Sequence, residues 1–437
     1  MVNRVQFLSA LILLTACSAD GAAPPEGEDT QAPVVQVSLA PDAGDGLLRL
    51  EIHWDDGANP LSDPTIRIVG SRGTLGSAAT TGDVAGLWRV LRRDASNVLI
   101  GETGGALLPA GTNELEVTVT DQAGNTGTAK LRVELPRVQW HTRYALGGEG
   151  GLANVVACDD EPLVYIPGFR RMIIIDPNVG YLRSLLNPYL SETSSAICAR
   201  DEPAIYLASG VQRFDRDIIR FGTVSPFQAT RGAYSIAQGV DPIEELYLGY
   251  SDSRIVVADR MSGRPLRTIQ LTNSHPEALV AAILVLKNTR IVAGLHPGGL
   301  RVLDRGGTEL RTRDGTVRDL RLDRTGTRVF AALDADGVAE IDPQTLATLQ
   351  SVHLPGGAKA INLRSDQKLA LITAADANAE ANYLFDLDRW EIIGALPRSS
   401  TGPRIDSGGA WEYNGRRLFI AYSTPEGAFI DVYLDRS

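Results

Sequence analysis

The sequence predicts an all-β protein, and three observations carry this prediction. An aspartate followed by a short turn recurs at intervals of 38 to 45 residues, at Asp176, Asp215, Asp259, Asp304, Asp342, Asp386 and Asp431. A second series of seven polar turns, from residues 159–162 to 412–415, recurs with the same period. Upstream, four segments between residues 33 and 136 alternate between apolar and polar residues, as half-buried strands do. A period of about 40–45 residues with several strands is typical of a propeller blade, so we expect a β-sandwich followed by a seven-bladed β-propeller.

The composition is that of a folded, acidic chain. Of its 437 residues, 43% are hydrophobic and 22% are charged, and the formal net charge is −11. This balance argues against nucleic acid as a partner, because nucleic-acid binding needs clustered positive charge. The chain has five histidines and no zinc-protease, phosphate-loop or nucleophile-elbow motif. We therefore expect no catalytic residues, no metal site and no cofactor.

Residues 1–17 have the pattern of a secretory signal. The apolar stretch Phe7–Leu14 follows a basic residue and is too short to span a bilayer. The next residues, Leu14-Thr15-Ala16-Cys17, resemble the bacterial lipobox. That resemblance implies cleavage before Cys17, a diacylglycerol on its thiol, and a membrane partner reached through this lipid anchor. Ser18 at the next position implies sorting to the outer membrane of a diderm bacterium. The alternative is an ordinary signal peptide with a chance cysteine.

Residues 18–32 are predicted to form a flexible tether. They contain Gly, Ala, Pro and acidic residues and almost no apolar bulk. A flexible chain of this length reaches about 20 Å, which is enough to hold a domain clear of the lipid headgroups.

Residues 33–136 are predicted to form one all-β domain. Their tail, with the turn Asp121-Gln122-Ala123-Gly124-Asn125, resembles bacterial immunoglobulin-like modules, in which a D-x-A-G-N turn joins the last two strands. Gly124 and Asn125 tolerate the left-handed backbone of such a turn. The segment has no Cys…Trp…Cys pattern, so it is not an antibody-type domain. Asp29, Asp121 and Asn125 suggest a Ca²⁺ site, but ordinary Asx turns are the preferred interpretation.

Residues 137–437 are predicted to form the propeller, closed by a strand that precedes the first repeat. The last repeat, at Asp431–Leu434, is one strand short, while the alternating segment Val138–Tyr144 has no other partner. We expect this segment to complete the last blade, which removes two open sheet edges. The turns at Asp259–Leu266 and Asp342–Leu346 resemble those of YncE-like and WD40-like propellers, where I-x-D-x-x-T-G recurs. This resemblance implies a fold and no particular activity.

Cys158 and Cys198 occupy almost equivalent positions in adjacent repeats. One interpretation is a disulfide between neighbouring blades, which an extracytoplasmic compartment would allow. The other is a pair of buried, unbonded thiols inherited by repeat duplication. A disulfide needs Cα atoms within about 7 Å, and blades diverge away from the propeller axis, so we prefer the second. The nearby Gly147–Gly151 segment is predicted to be a flexible entry to the first blade.

The binding surface of a propeller is usually the rim formed by the loops between its second and third and its fourth and first strands. The candidate binding residues on this rim are Phe169, Arg170, Arg171, Asp252, Arg254, His275, His296, Asp334, Asp336 and Asp376. A solvated loop surface is the competing interpretation. The segment Arg301–Arg328 holds eight arginines and five acids. It indicates either an anionic partner or, because the signs interleave, an ion-paired surface.

These observations predict a lipid-anchored binding or scaffold protein of the cell envelope, which presents its propeller to a protein or glycan partner. The alternative is a propeller enzyme with its site at the channel mouth, because propellers of this kind include lactone hydrolases and cofactor-dependent dehydrogenases. A third possibility is a structural subunit of an envelope machine, which would expose a contiguous apolar patch.

Overall fold

The computed structural model describes residues 31–41, 43–57, 65–70, 73–78, 88–94, 96–102, 107–146, 155–158, 161, 163–168, 171–176, 181–186, 195–208, 212–215, 233–240, 244–272, 275–334, 336–375, 382–396 and 405–436. Within these residues all regular elements are β-strands, so the predicted all-β class is confirmed. None of the described segments forms a helix long and apolar enough to cross a membrane. Cys17, residues 18–30 of the tether and Gly147–Gly151 lie outside the described residues, so the interpretations placed on them stay predictions.

The first eight strands form two four-stranded antiparallel sheets. They are β1 (Val34–Leu39), β2 (Arg49–Asp55), β3 (Thr65–Gly70), β4 (Gly73–Ala78), β5 (Trp88–Asp94), β6 (Asn97–Glu102), β7 (Gly111–Thr120) and β8 (Thr126–Leu135). Their orders are β1-β2-β6-β5 and β4-β3-β7-β8. Leu50 and Ile52 of β2 lie in one buried cluster with Ile68 of β3 and Val117 of β7. The apolar face of each alternating strand therefore faces the other sheet.

The turn between β7 and β8 is closed by the side chain of Asp121. Its Oδ1 accepts the backbone N–H of Asn125 at 2.7 Å, and its Oδ2 accepts the side-chain amide of Asn125 at 2.8 Å. Gly124 has a φ of 93°, a backbone that favours glycine. The two carboxylate oxygens are thus engaged inside an Asx turn. Asp29, the third member of the considered Ca²⁺ site, lies outside the described residues.

Seven further antiparallel sheets follow in the described chain. Their strands are β9 (Val138–Ala145), β10 (Val156–Ala157), β11 (Val164–Gly168), β12 (Arg171–Asp176), β13 (Tyr181–Leu186), β14 (Ala196–Cys198), β15 (Ala204–Leu207), β16 (Gln212–Asp215), β17 (Ser235–Gln238), β18 (Glu245–Gly249), β19 (Arg254–Asp259), β20 (Pro265–Gln270), β21 (Leu279–Val285), β22 (Ile291–His296), β23 (Gly299–Leu303), β24 (Glu309–Arg313), β25 (Val317–Leu322), β26 (Val329–Leu333), β27 (Gly337–Ile341), β28 (Thr348–Val352), β29 (Ala358–Leu363), β30 (Leu369–Ala374), β31 (Asn382–Asp386), β32 (Glu391–Ala395), β33 (Ile405–Trp411), β34 (Arg417–Thr424) and β35 (Gly427–Asp435). Six sheets take consecutive strands, the second with three described strands, and the seventh has the order β33-β34-β35-β9.

The seven sheets contact one another in cyclic order. Their first strands are β10, β14, β17, β21, β25, β29 and β33; each contacts the next, and β33 contacts β10. Apolar clusters fill the spaces between neighbouring sheets. Val164 and Ile173 of the first sheet, for example, pack with Phe419 and Ile430 of the seventh. The first strands therefore enclose a common central space.

The seventh sheet is completed by β9, the pairing predicted for Val138–Tyr144. In this antiparallel pair Arg143 lies opposite Asp431. Asp431 is fully buried, and its Oδ1 accepts hydrogen bonds from Arg143 Nε at 3.0 Å and from the Tyr422 hydroxyl at 3.3 Å. The Arg143 guanidinium also lies 5.5 Å from the centre of the Phe429 ring. Because a buried carboxylate is costly unless it is paired, this contact favours one register between the two strands.

The recurring aspartates act differently in the other sheets, where they hold the turn after the third strand. Asp259, Asp304, Asp342 and Asp386 each accept a backbone N–H from a residue two to four positions later. Such side-chain hydrogen bonds replace backbone contacts in a tight turn. The sequence period therefore arises from a local turn interaction. Asp431 differs because it lies within β35, and the fourth strand of its sheet is β9, which no turn joins to β35.

Cys158 and Cys198 form a disulfide, with Cα atoms 5.7 Å apart. The preferred interpretation of two unbonded thiols is therefore wrong. The two cysteines lie at the ends of β10 and β14, the first strands of neighbouring sheets. First strands lie near the centre of the cyclic arrangement, where neighbouring sheets have not yet diverged.

Arg436 joins the seven later sheets to the two sheets formed by β1–β8. Its guanidinium forms two hydrogen bonds with the Glu102 carboxylate, at 2.8 and 2.7 Å, and both side chains are fully buried. It also donates to the backbone oxygens of Leu108 and Gly46, at 3.1 and 2.9 Å. Glu102 in turn accepts the N–H groups of Leu48 and Leu108. We call this arrangement the interdomain clamp, defined by Arg436 and Glu102.

A third buried carboxylate, in the third of the seven sheets, makes the stability of the fold depend on pH. Glu245 accepts hydrogen bonds from Arg267 at 2.7 and 3.0 Å, from Tyr247 at 2.6 Å and from Arg305 at 3.3 Å. Chiefly through Arg267, these contacts lower the pKa of Glu245 to about 2. Burial, together with the Glu245 contact, raises the pKa of Tyr247 to about 12.

We expect Glu245→Gln to lose about 2–3 kcal/mol of unfolding free energy at pH 7. The folded-state pKa of Glu245 lies below its ordinary value of 4.5. The ionised carboxylate therefore stabilises the fold above about pH 4.5, and this contribution disappears as the pH falls towards 2. Urea unfolding at pH 7, 4 and 3 should show a smaller pH dependence in the variant. Glu391→Gln is the matched control, because Glu391 is 56% exposed; equal pH slopes in wild type and Glu245→Gln would contradict the prediction.

Candidate functional site

The first strands of the seven sheets surround a central channel. Its larger part has a volume of about 530 Å³ and is lined by residues of β14, β17, β21, β25 and β29. A smaller part of about 210 Å³ continues towards β10 and β33. Ile197, Cys198 and Arg321 line both parts, so they form one channel. A concave space of this size that several elements surround is the default candidate for a binding site.

Three neighbouring first strands carry a β-bulge near their start, after the second paired residue in β21 and after the first in β25 and β29. The register shifts lie between Val280 and Ala282, between Val317 and Asp319, and between Ala358 and Ala360. A bulge redirects the side chain of its extra residue. The three extra residues, Ala281, Arg318 and Lys359, all line the channel. Two adjacent sheets thereby place a cation at the end where their first strands begin.

Arg318 forms a cluster with His296 and Asp334, which we call the mouth cluster, and Lys359 lines the same channel. His296 is the last residue of β22, and Asp334 directly follows β26, so both lie at the same end of the channel as the bulges. Asp334 Oδ1 accepts a hydrogen bond from Arg318 Nε at 2.7 Å. Its Oδ2 lies 3.6 Å from His296 Nε2. The Arg318 contact, with a further contribution from His296, lowers the pKa of Asp334 and keeps it ionised.

The mouth cluster retains polar atoms that the described residues do not engage. Asp334 engages only the Nε of Arg318, and within the described chain the two Nη groups of Arg318 have no hydrogen-bond acceptor. His296 Nε2 is buried and likewise has no hydrogen-bond partner among these residues. Buried polar atoms are usually hydrogen-bonded, so His296 Nε2 and the Arg318 Nη groups are placed to meet a polar group from outside the described residues. Arg318 is about one-third exposed.

The inner end of the channel holds two further arginines, Arg200 and Arg321. Arg200 forms no ion pair with the described residues, and burial lowers its pKa. Arg321 lies 3.2 Å from Asp319 and donates to the Ile361 backbone oxygen at 2.6 Å. Asp319 also accepts the Ile361 N–H at 3.0 Å, and burial raises its pKa. The Asp319–Arg321 pair therefore joins β25 to β29 and acts as a structural contact.

Glu412 and Asn362 line the smaller part of the channel. Glu412 is 1% exposed and lies 3.2 Å from Arg417. Burial raises the pKa of Glu412, because the charged carboxylate is poorly solvated there. Glu412 Oε2 and Asn362 Nδ2 are both buried without a hydrogen-bond partner among the described residues. The inner end thus offers one acceptor and one donor to a polar group.

The rim residues predicted from the sequence are not all brought together. His296 and Asp334 meet in the mouth cluster, whereas Asp252 and Arg254 form a separate exposed pair at 3.2 Å. Asp336 lines a small pocket of about 180 Å³ beside β23. His275 lies before β21, and its backbone oxygen accepts the Ala278 N–H. Of the remaining candidates, Phe169, Arg170 and Asp376 lie outside the described residues, and Arg171 is described only as a backbone position in β12.

The sequence interpretation missed the cations of the channel, Arg200, Arg318, Arg321 and Lys359. Arg318 and Arg321 belong to the arginine-rich segment Arg301–Arg328. The sequence allowed two interpretations of this segment, an ion-paired surface or a site for an anionic partner. The structure shows ion pairs in this segment, Arg301 with Glu309 and Arg328 with Glu340, and places Arg318 and Arg321 at the channel; an anionic partner stays a prediction.

Comparison with known proteins assigns no family. No protein-family model matches the chain, and no match was found among the curated proteins.

Proposed function

We propose that this chain is a lipid-anchored binding or scaffold protein of the cell envelope. In this proposal Cys17 carries the anchor, residues 33–136 form an immunoglobulin-like β-sandwich, and residues 137–437 form a seven-bladed β-propeller. The propeller presents its channel mouth to a protein or glycan partner. The cyclic contacts of seven sheets and the completion of the seventh by β9 support the propeller. The lipobox resemblance of residues 14–17 supports the anchor.

The observation that carries the binding function is the charge of the channel. The chain has a net charge of −11, yet its described channel lining contains four cations, Arg200, Arg318, Arg321 and Lys359, and two acids, Asp319 and Glu412. Burial raises the pKa of both acids, which disfavours their charged forms. A cleft with one sign of charge between low-dielectric walls attracts a ligand of the opposite sign.

The interdomain clamp suits a protein that presents one face at a fixed orientation. Arg436 and Glu102 exclude solvent from their contact, and bidentate arginine–carboxylate pairs have a defined geometry. A sandwich held in this way acts as a rigid spacer between the anchor and the channel. The exposed large apolar side chains support a structural-subunit role less well, because they are scattered over the sandwich and several sheets, at Val34, Leu39, Met261, Leu266, Leu349 and Ile393.

The anchor and the partner are tested separately in native membranes. Wild type should float with the membrane fraction, and Cys17→Ala should be released; retention of the variant would contradict the anchor. Cross-linking of the anchored chain should recover one partner in stoichiometric amount. Charge reversal at the mouth, Lys359→Glu, should abolish that recovery, and the exposed control Arg389→Glu should preserve it. An equal yield from both variants would place the binding surface elsewhere.

One observation favours the enzyme as a second candidate. His296 Nε2 is buried without a hydrogen-bond partner among the described residues and lies 3.6 Å from an ionised carboxylate, a position in which a general base is often found. Hydrolysis of a lactone panel by wild type, lost in His296→Gln, would favour this candidate. Turnover that is equal in both proteins would exclude His296 as the base.

A further inference from the structure

We propose that the mouth cluster binds a carboxylate group of an acidic peptide, with Arg318 as the bidentate anchor. This inference rests on the proposed function, because it names the chemistry that the channel mouth recognises. The guanidinium fork matches a carboxylate with two parallel hydrogen bonds, a geometry that lysine cannot reproduce. Among the described residues Asp334 engages the Nε of Arg318 alone, so the two Nη groups of the fork remain for a ligand.

Asp334 acts as a positioning residue in this site. Its two oxygens face Arg318 Nε at 2.7 Å and His296 Nε2 at 3.6 Å, so one carboxylate orients both side chains. The bulge in β25 supplies the other constraint, since it directs Arg318 into the channel. The orientation of the anchor is therefore set before a ligand arrives, which reduces the entropic cost of binding.

The rest of the channel favours a peptide side chain over an acidic sugar. Burying a sugar hydroxyl is costly unless it finds a hydrogen-bond partner. Two polar side chains of the larger part are already engaged: Ser235 donates to the Val280 oxygen at 2.7 Å, and Gln238 bonds to Asp201 and to the Arg200 N–H. Tyr234 in the larger part and Trp411 in the smaller part are the two side chains of the described lining on which a sugar ring could stack, and they lie in different parts of the channel. The aliphatic methylene groups of a glutamate match a wall of Ala, Leu, Ile and Val residues.

The test measures binding of three probes to the purified full chain by isothermal titration calorimetry at a fixed ionic strength. The probes are N-acetylated, C-amidated triglutamate, the corresponding triglutamine, and a glucuronate-containing tetrasaccharide. We expect saturable one-to-one binding of triglutamate and at least tenfold weaker binding of triglutamine. Arg318→Gln should weaken triglutamate binding at least tenfold. Arg264→Gln, which removes the same charge from an exposed turn, should change it by less than twofold.

Arg318→Lys keeps the positive charge but removes the guanidinium fork, so it tests the two contributions separately. It also replaces Arg318→Gln as the test if the glutamine variant fails to fold. A clear loss of affinity in this variant supports bidentate recognition, whereas unchanged affinity overturns it. Binding of the tetrasaccharide without triglutamate would show an acidic glycan site and overturn the peptide, and binding of neither probe would overturn the site. If the probes do not bind but the membrane partner is still recovered, this inference fails and the proposed function stands. If triglutamate binds but no membrane partner is recovered, this inference stands and the proposed function fails.

Discussion

Replacing Arg436 with methionine is expected to lower the free energy of unfolding by about 3–5 kcal/mol, because it leaves the buried carboxylate of Glu102 without its cation. Both side chains are fully buried, and their two mutual hydrogen bonds measure 2.8 and 2.7 Å. The backbone N–H groups of Leu48 and Leu108 that also reach Glu102 satisfy part of its hydrogen-bonding capacity but none of its charge. Urea unfolding followed by tryptophan fluorescence measures the effect.

The double variant Arg436→Met/Glu102→Gln distinguishes the charge from the packing. No unpaired charge remains buried in it, so it should regain part of the stability lost in Arg436→Met. Arg389→Met is the matched control, because Arg389 is 75% exposed and lies 3.5 Å from an exposed Glu391; its loss should stay below about 1 kcal/mol. A loss below 1 kcal/mol in Arg436→Met as well would show that the clamp does not stabilise the fold.

The clamp also predicts how the protein unfolds. The wild type should lose the sandwich and the later sheets together, whereas Arg436→Met should separate the two transitions. Trp54 and Trp88 are buried in the sandwich, and Trp411 is buried in the seventh sheet. Single-tryptophan variants can therefore follow each part alone.

Local signals in the sequence predicted the elements of this fold, because local contacts create them. The turn aspartates bond to backbone groups within four residues, so the period is visible without any knowledge of tertiary structure. The alternation of Leu48–Trp54 reflects one buried and one exposed face of β2. The role of Val138–Tyr144 could be inferred by counting, since one repeat lacked a strand.

The channel and the clamp depend on contacts between segments that are distant in the chain. Such contacts leave no local pattern in the sequence comparable to the turn aspartates or the strand alternation. Arg436 and Glu102 are 334 positions apart. Nothing in the sequence near either residue distinguishes it from a charge on the surface. The inward direction of Arg318 and Lys359 depends on a register shift against the next strand. Such a shift is set by the pairing of two strands and cannot be read from the alternation of one.

The disulfide provides the second large effect. Replacing Cys158 and Cys198 together with alanine is expected to lower the free energy of unfolding by about 4 kcal/mol, from the loop-closure entropy of a cross-link between residues 40 positions apart. Each alanine keeps a small apolar side chain at its position, so the change isolates the covalent bond. Urea unfolding of wild type with and without dithiothreitol, beside the same pair of measurements on the variant, gives the comparison.

We expect the reductant to destabilise wild type by nearly the amount that the double substitution does, and to leave the variant unchanged. The disulfide joins β10 to β14, the first strands of two neighbouring sheets around the channel, and Cys198 lines the channel. Equal stability of the reduced and oxidised wild type, within 1 kcal/mol, would contradict this role. Retention of triglutamate binding after reduction would then show that the mouth cluster forms independently of the cross-link.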